Sequence, residues 1–257
     1  MNLHIEGKQA VVCGASKGLG FGCAQALVAE GARVTLVARN EETLRQAAAE
    51  LKAQGCEVSY VCADVTTEMG RAAILHAAPV ADILVNNAGG PPPGNFREWT
   101  REDWIASFDA NMLSAVFLTT AYVDGMIARE FGRIVNITSI AVKQPQSLLG
   151  LSTAARLALT GFASGVARDI ARHNVTINNL LPGYFDTERL RRTFEAWSSD
   201  GDRVGDVAEQ RCAMIPAQRF GTPREFGDMC AFLCSSRAGY ITGQNVLLDG
   251  GLYTGLF

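Results

Sequence analysis

The sequence predicts an α/β fold: one doubly wound domain over residues 1–257, with a seven-stranded, mainly parallel sheet and helices on both faces. Three observations lead there. Short apolar runs rich in Val and Ile alternate with longer stretches of helical periodicity from end to end. Such runs suit strands buried on both faces, as the strands of a parallel sheet are. A glycine-rich turn joins the first run to the first helix. A chain of 257 residues is also long enough to bury a core without disulfide or metal, and α/β folds of this size form one domain.

The first strand is QAVVCG (9–14), and Cys13-Gly14-Ala15-Ser16-Lys17-Gly18-Leu19-Gly20 leads from it into a helix over 18–30. Glycines at 14, 18 and 20 permit a tight turn, close approach of backbone to a phosphate, and close helix–strand packing. The N–H groups and positive dipole end of that helix would receive a pyrophosphate. The second strand, RVTLVA (33–38), precedes a helix over 41–54. Its end decides which dinucleotide fits. A carboxylate there holds the ribose hydroxyls of NAD and repels a 2′-phosphate. Here the text is Ala38-Arg39-Asn40, with no carboxylate before Glu41. Arg39, joined by Lys17 from the glycine turn, would pair with a 2′-phosphate, so NADP(H) is the expected cofactor. The plainer reading makes both ordinary surface cations.

The third strand is EVSYVCA (57–63), followed by a helix over 67–77, and the fourth is ADILVN (81–86). The loop Gly90-Pro91-Pro92-Pro93-Gly94 is stiffened by its prolines. A long helix over 101–130, the strand GRIVNIT (132–138), a helix over 152–172 and the strand NVTINNL (174–180) come next. Residues 188–213 are rich in charge and glycine (Arg189, Arg191, Arg192, Asp200, Gly201, Asp202, Gly205) and read either as a cover over a cleft or as a solvated helix pair. A helix over 223–236 and the strand NVLLD (245–249) complete the pattern. In such a sheet the functional loops lie at the carboxyl ends of the strands.

The net charge of −3 argues against nucleic acid or anionic lipid as partner, since both select basic surfaces. No apolar run is expected to reach the length of a membrane span, and the N-terminus shows no basic stretch followed by a long apolar core. Seven scattered cysteines suit a reducing, cytoplasmic compartment. Cys230 and Cys234, one helical turn apart, read as small buried residues, and three histidines offer no zinc spacing, so no metal is expected. The helix over 101–130 carries Ile105, Met112, Val116, Leu118, Val123 and Ile127, and the helix over 152–172 carries Leu157, Leu159, Phe162, Val166 and Ile170, more apolar surface than one sheet face needs. A homodimer or homotetramer is expected, with the tail Leu252–Phe257 docked on a neighbour.

Over nearly its whole length the chain resembles the single-domain short-chain dehydrogenases/reductases, ketoacyl-carrier-protein reductases in particular. The Gly14–Gly20 turn is similar to the family's Gly-xxx-Gly-x-Gly, and Asp64-Val65 to the pair that contacts adenine. Asn86-Asn87-Ala88-Gly89 resembles the signature after the fourth strand, Asn111 the helix asparagine, and Ser139 the catalytic serine. Pro182-Gly183-x-x-x-Thr187 resembles the loop that holds the nicotinamide carboxamide, and Tyr240–Gln244 with Asp249-Gly250-Gly251 the C-terminal end. The resemblance implies a Rossmann-type fold, a nicotinamide cofactor and a small carbonyl or alcohol substrate.

It also implies a Tyr-xxx-Lys pair, and the sequence contains none. Spacing taken forward from Ser139 and back from Pro182 lands both times on Ser152, and the lysine's place falls on Arg156. Arg156 can keep the positive charge and bond the cofactor ribose. Ser152 is a weaker acid than a phenol, whose pKa is about 10. Lys143, just past Ser139, and Tyr184, just past Pro182-Gly183, are the other candidates for proton transfer. Each also has a bland reading, Lys143 as a solvated loop lysine and Tyr184 as a wall residue. The expected function is therefore hydride transfer between NADP(H) and a carbonyl or alcohol, with an unusual proton source. The alternative is a cofactor-binding protein with little turnover, acting as a sensor or partner subunit.

Overall fold

The computed structural model describes residues 1–198 and 204–256. Seven strands, β1 (Gln9–Cys13), β2 (Arg33–Ala38), β3 (Val58–Cys62), β4 (Ile83–Asn86), β5 (Gly132–Ile137), β6 (Val175–Pro182) and β7 (Asn245–Leu248), form one sheet. Their order is β3-β2-β1-β4-β5-β6-β7, and every neighbouring pair is parallel. The order reverses between β1 and β4, which opens a crevice at their carboxyl ends, the place where ligands bind in open α/β sheets.

Alternation along each strand divides the core in two. Val12, Leu36 and Val85 point to the face covered by α1 (Gly18–Ala29), α2 (Glu41–Lys52) and α9 (Pro223–Leu233). Val11, Val37 and Leu84 point to the opposite face, covered by α3 (Glu68–Ala77), α5 (Ser114–Ala128) and α6 (Gly150–Ile170). Both sides of these strands are dry, which is why the runs read as continuously apolar rather than alternating. Cys230 and Cys234 lie in the first of these cores as free thiols, as expected of small buried residues, and Cys23 lies there with them.

Two helical stretches are divided. The one expected over 101–130 is α4 (Arg101–Phe108), one π-helical turn (Asp109–Leu113) and then α5. The segment 188–213 is α7 (Glu188–Trp197) and α8 (Val204–Ala213). Asp200, Gly201 and Asp202 lie outside the described residues. One expectation is corrected. The continuous helical stretch Arg101–Ala128 is long and apolar enough to cross a membrane, with a mean hydropathy of 1.2. Its apolar side belongs to the core: Leu118, Tyr122 and Met126 are at most 3% exposed against the sheet. Of the apolar side chains expected to be surplus on these helices, Leu118, Leu159 and Ile170 are buried in the core, while Ile105 and Leu157 stay exposed, as does Phe117 beside them.

A ladder of asparagines crosses the carboxyl half of the sheet. Asn86, Asn136, Asn179 and Asn245 sit side by side in register on β4 to β7. Asn86 Nδ2 donates to Asn136 Oδ1 (2.9 Å), Asn136 Nδ2 to Asn179 Oδ1 (3.0 Å), and Asn179 Nδ2 to Asn245 Oδ1 (2.8 Å). The ladder fixes the strand ends that carry the loops described below. Asn136→Leu would leave Asn179 Oδ1 without its donor and Asn86 Nδ2 with only a 3.4 Å contact to Thr119. Each unsatisfied buried group costs about 1–3 kcal/mol. The expected result is a loss of about 2 kcal/mol or more, read as a lower urea midpoint at an unchanged slope.

Candidate active site

The glycine turn is folded tightly against the end of β4. Gly14 has a φ of +59°, and a Cβ there would lie 2.5 Å from Asn87 Nδ2. A Cβ at Gly20 would lie 2.3 Å from the carbonyl oxygen of Gly14. Asn87 Nδ2 donates to that same carbonyl (3.4 Å), tying the two loops together. α1 begins at Gly18, preceded by Lys17 in extended conformation, and no side chain caps its first N–H groups. Free donors at a positive dipole end, beside a turn that admits no side chain, form a cradle for an anion. Ser16 and Leu19, half-buried, flank it, and the Thr187 methyl faces Gly18 from across the groove.

At the end of β2, Arg39 is exposed and lies 3.9 Å from Asp64. Burial would raise the Asp64 carboxyl, but hydrogen bonds from Thr66 N and Oγ1, with the charge of Arg39, hold it below its ordinary value. Lys17 is not free beside Arg39. It pairs with Glu188 in the first turn of α7, and Glu188 also takes Arg192. This clasp across the groove was not legible in the sequence, because the two residues are far apart along the chain.

The inner end of the groove is a small cavity lined by Val65, Asn87, Ala88, Asn111, Ser114 and Arg156, among others. Its volume of about 10 Å³ is roughly what one water needs. Asn111 sits in the π-helical turn, a device often found at functional sites. Its Nδ2 donates to the Ser107 carbonyl (3.3 Å), while its buried Oδ1 has no partner among the described residues.

Arg156, 9% exposed, donates from Nε to Ser152 Oγ (3.0 Å) and from Nη1 to the Ile137 carbonyl (2.6 Å). Burial, and next the charge of Arg189, push its pKa down to about 10, which leaves it charged at neutral pH. Ser139 follows β5 and caps a short 3₁₀ turn. Its Oγ accepts from Ala141 N (3.1 Å), so its own proton is left to donate. Gly183 N donates to the Leu248 carbonyl (2.8 Å), and Thr187 caps α7 by accepting from Leu190 N (3.2 Å).

The other two proton-transfer candidates are placed differently. Tyr184 is buried in an aromatic cluster with Phe194 and Phe220. It lines a second cavity, of about 150 Å³, with Arg219 and Asp249, not the one lined by Asn111 and Arg156. Lys143 is half-buried, with Nζ 5.6 Å from the centre of the Tyr253 ring. Gly89 continues the strand end beyond Ala88, and the next carbonyls, of Gly90 and Pro91, accept from Arg189 (2.7 and 3.0 Å).

The model of the short chain dehydrogenase family matches residues 8–197. Gluconate 5-dehydrogenase of Gluconobacter oxydans is 34% identical over 98% of this chain and 97% of its own. The 3-oxoacyl-[acyl-carrier-protein] reductase of Vibrio cholerae is 31% identical over 98% and 99%. Among solved structures, the L-sorbose reductase of Gluconobacter frateurii, complexed with NADPH and L-sorbose, is similar with a TM-score of 0.93 and 33% identity, covering both chains fully. YwfH, an NADPH dependent reductase involved in bacilysin biosynthesis, is similar with a TM-score of 0.92 and 28% identity, covering 98% of this chain and 100% of that one.

Proposed function

The chain belongs to the short-chain dehydrogenase family, and on that premise we propose that it is an oxidoreductase that uses NADP(H) to interconvert a small carbonyl compound and its alcohol. One observation carries the reading: the glycine cradle and the cavity of Asn111 and Arg156 share the carboxyl edge of the sheet, joined by Asn87. The cradle suits a pyrophosphate, and Arg39 suits a 2′-phosphate beyond it. Asn87, Ala88, Gly89, Pro182, Gly183 and Thr187 border the groove between them. The cofactor, when bound, donates or accepts hydride at its nicotinamide ring.

Ser139, with its proton free, donates to the substrate oxygen and stabilises charge developing there. Arg156 takes the role of the family's lysine and Ser152 that of its tyrosine. The ribose would be held through Arg156 Nη2, which has no acceptor among the described residues. Ser152 Oγ accepts from Arg156 Nε, so its own proton points away from the guanidinium and is available to substrate. The unpartnered Oδ1 of Asn111 suits a water that passes a proton inward. Seven free cysteines accord with a reducing, cytoplasmic compartment. We extend the proposal to a homodimer or homotetramer whose contacts include exposed Ile105, Phe117 and Leu157.

The cofactor preference has a direct test. Arg39 is exposed and its ion pair with Asp64 is long, so a 2′-phosphate can take it over at little cost to the fold. Arg39→Asp should weaken NADPH binding by about 1.5–3 kcal/mol, the range for a charge-assisted hydrogen bond, and should strengthen NADH binding, since it places a carboxylate where the ribose hydroxyls of NAD lie. Equal affinity of the unaltered protein for the two cofactors, by fluorescence titration, would contradict the preference.

A further inference from the structure

Two arginines meet beside the place assigned to the substrate, and no carboxylate answers either of them among the described residues. Arg156 spends its hydrogen bonds on a backbone carbonyl and a serine hydroxyl. Arg189, in the first turn of α7, spends two on the carbonyls of Gly90 and Pro91. The nearby acids are engaged elsewhere, Glu188 with Lys17 and Arg192, and Asp186 with Arg191. Carbonyl dipoles leave a guanidinium's net charge uncompensated.

Three further facts point the same way. Arg156 feels the other cation: after burial, the charge of Arg189 lowers its pKa. Arg189 is lowered in turn by desolvation of its guanidinium end, although the residue as a whole is exposed, and then by Arg192. A cation in the first turn of a helix also opposes the dipole, whose N-terminal end favours negative charge. Finally, a Cβ on Gly90 would meet Arg189 Nη2 at 2.9 Å and Ser152 Oγ at 3.5 Å. Guanidinium and hydroxyl therefore converge on one side of that loop.

We propose that the substrate carries a carboxylate, received by Arg189 with the charge of Arg156 behind, while Ser152 Oγ stays with the reacting oxygen. The proposal rests on reading this groove as the site of an oxidoreductase. It narrows the substrate class to oxo or hydroxy acids whose reacting carbon reaches Ser139 while the acid group stays on Arg189. A guanidinium grips a carboxylate through two parallel bonds, which orients as well as binds. The cofactor's diphosphate is the other anion that could answer the same charges, and the experiment separates the two.

The probes are pyruvate, acetoacetate, levulinate and phenylpyruvate, each against its methyl ester, with NADPH. The unaltered protein should turn over at least one acid with kcat/KM tenfold or more above that of its ester. Arg189→Met should bring acid and ester within about twofold while NADPH affinity changes less than threefold, and Arg189→Lys should restore part of the preference. Esters used as well as acids, or a preference that survives Arg189→Met, would overturn the proposal. So would a tenfold loss of NADPH affinity in Arg189→Met, which assigns the anion to the cofactor. If nothing turns over, binding decides. Saturable quenching of bound NADPH fluorescence by an acid but not its ester, lost in Arg189→Met, upholds the carboxylate site while the oxidoreductase reading fails. No quenching overturns the carboxylate site as well.

Discussion

Replacing Ser152 by tyrosine and Arg156 by lysine together should raise turnover on a simple activated ketone by about 10²–10⁴-fold, the usual contribution of general acid catalysis. Ser152 is half-buried near the start of α6 and faces Gly90, so a ring there has only the movable guanidinium end of Arg189 to displace. The present hydroxyl is bonded by a guanidinium, which polarises it but cannot make an alcohol as acidic as a phenol. The gain should appear in kcat at matched NADPH saturation. If Lys143 or Tyr184 is the proton donor instead, the double change will do little or harm. In that case Lys143→Met or Tyr184→Phe will remove activity and leave NADPH binding intact. The placement of Tyr184 among Phe194 and Phe220 favours the Ser152 reading.

The second large effect is expected at Gly20. It lies in α1, where backbone conformation would tolerate valine, so the cost is contact alone. A Cβ would be 2.3 Å from the Gly14 carbonyl oxygen and 2.8 Å from Asn87 Nδ2. The turn must open, and opening it separates the cradle from the β4 loop. Forced overpacking costs about 1–3 kcal/mol, and if that strain falls on the turn, Gly20→Val should lower NADPH affinity by roughly 10–100-fold. Circular dichroism unchanged from the parent would show that α1 still forms. NADPH affinity unchanged in a folded variant would place the pyrophosphate elsewhere.

The layered fold was legible because strand burial leaves an unambiguous mark. Val11 and Val12 are both buried, on opposite faces, so β1 reads as a solid apolar run. The glycine turn was legible because its constraints are local to a few residues. What the chain did not disclose comes from contacts distant in sequence. The Lys17–Glu188 pair and the grip of Arg189 on Gly90 and Pro91 depend on how α7 lies across the groove. A sequence clue existed for the latter: Arg189 stands in the first turn of a helix, where an acid is favoured. The π-helical turn at Asn111 was likewise invisible, since a single extra residue per turn barely alters a helical pattern. The membrane-length stretch Arg101–Ala128 misleads in the other direction. A core helix of a wide sheet can be as apolar as a span.

If this groove moves hydride between NADPH and a carbonyl carbon, the hydride can be followed directly. The most direct test is deuterium transfer from NADPH labelled at nicotinamide C4, offered in both stereochemical forms, to the acid and ester panel, with products read by mass spectrometry. The account predicts one deuterium on the carbinol carbon of at least one product, from only one of the two labelled forms, with NADPH saturating at lower concentration than NADH. Tight NADPH binding with no deuterium in any product would contradict it, and would make the chain a cofactor-binding protein without this chemistry.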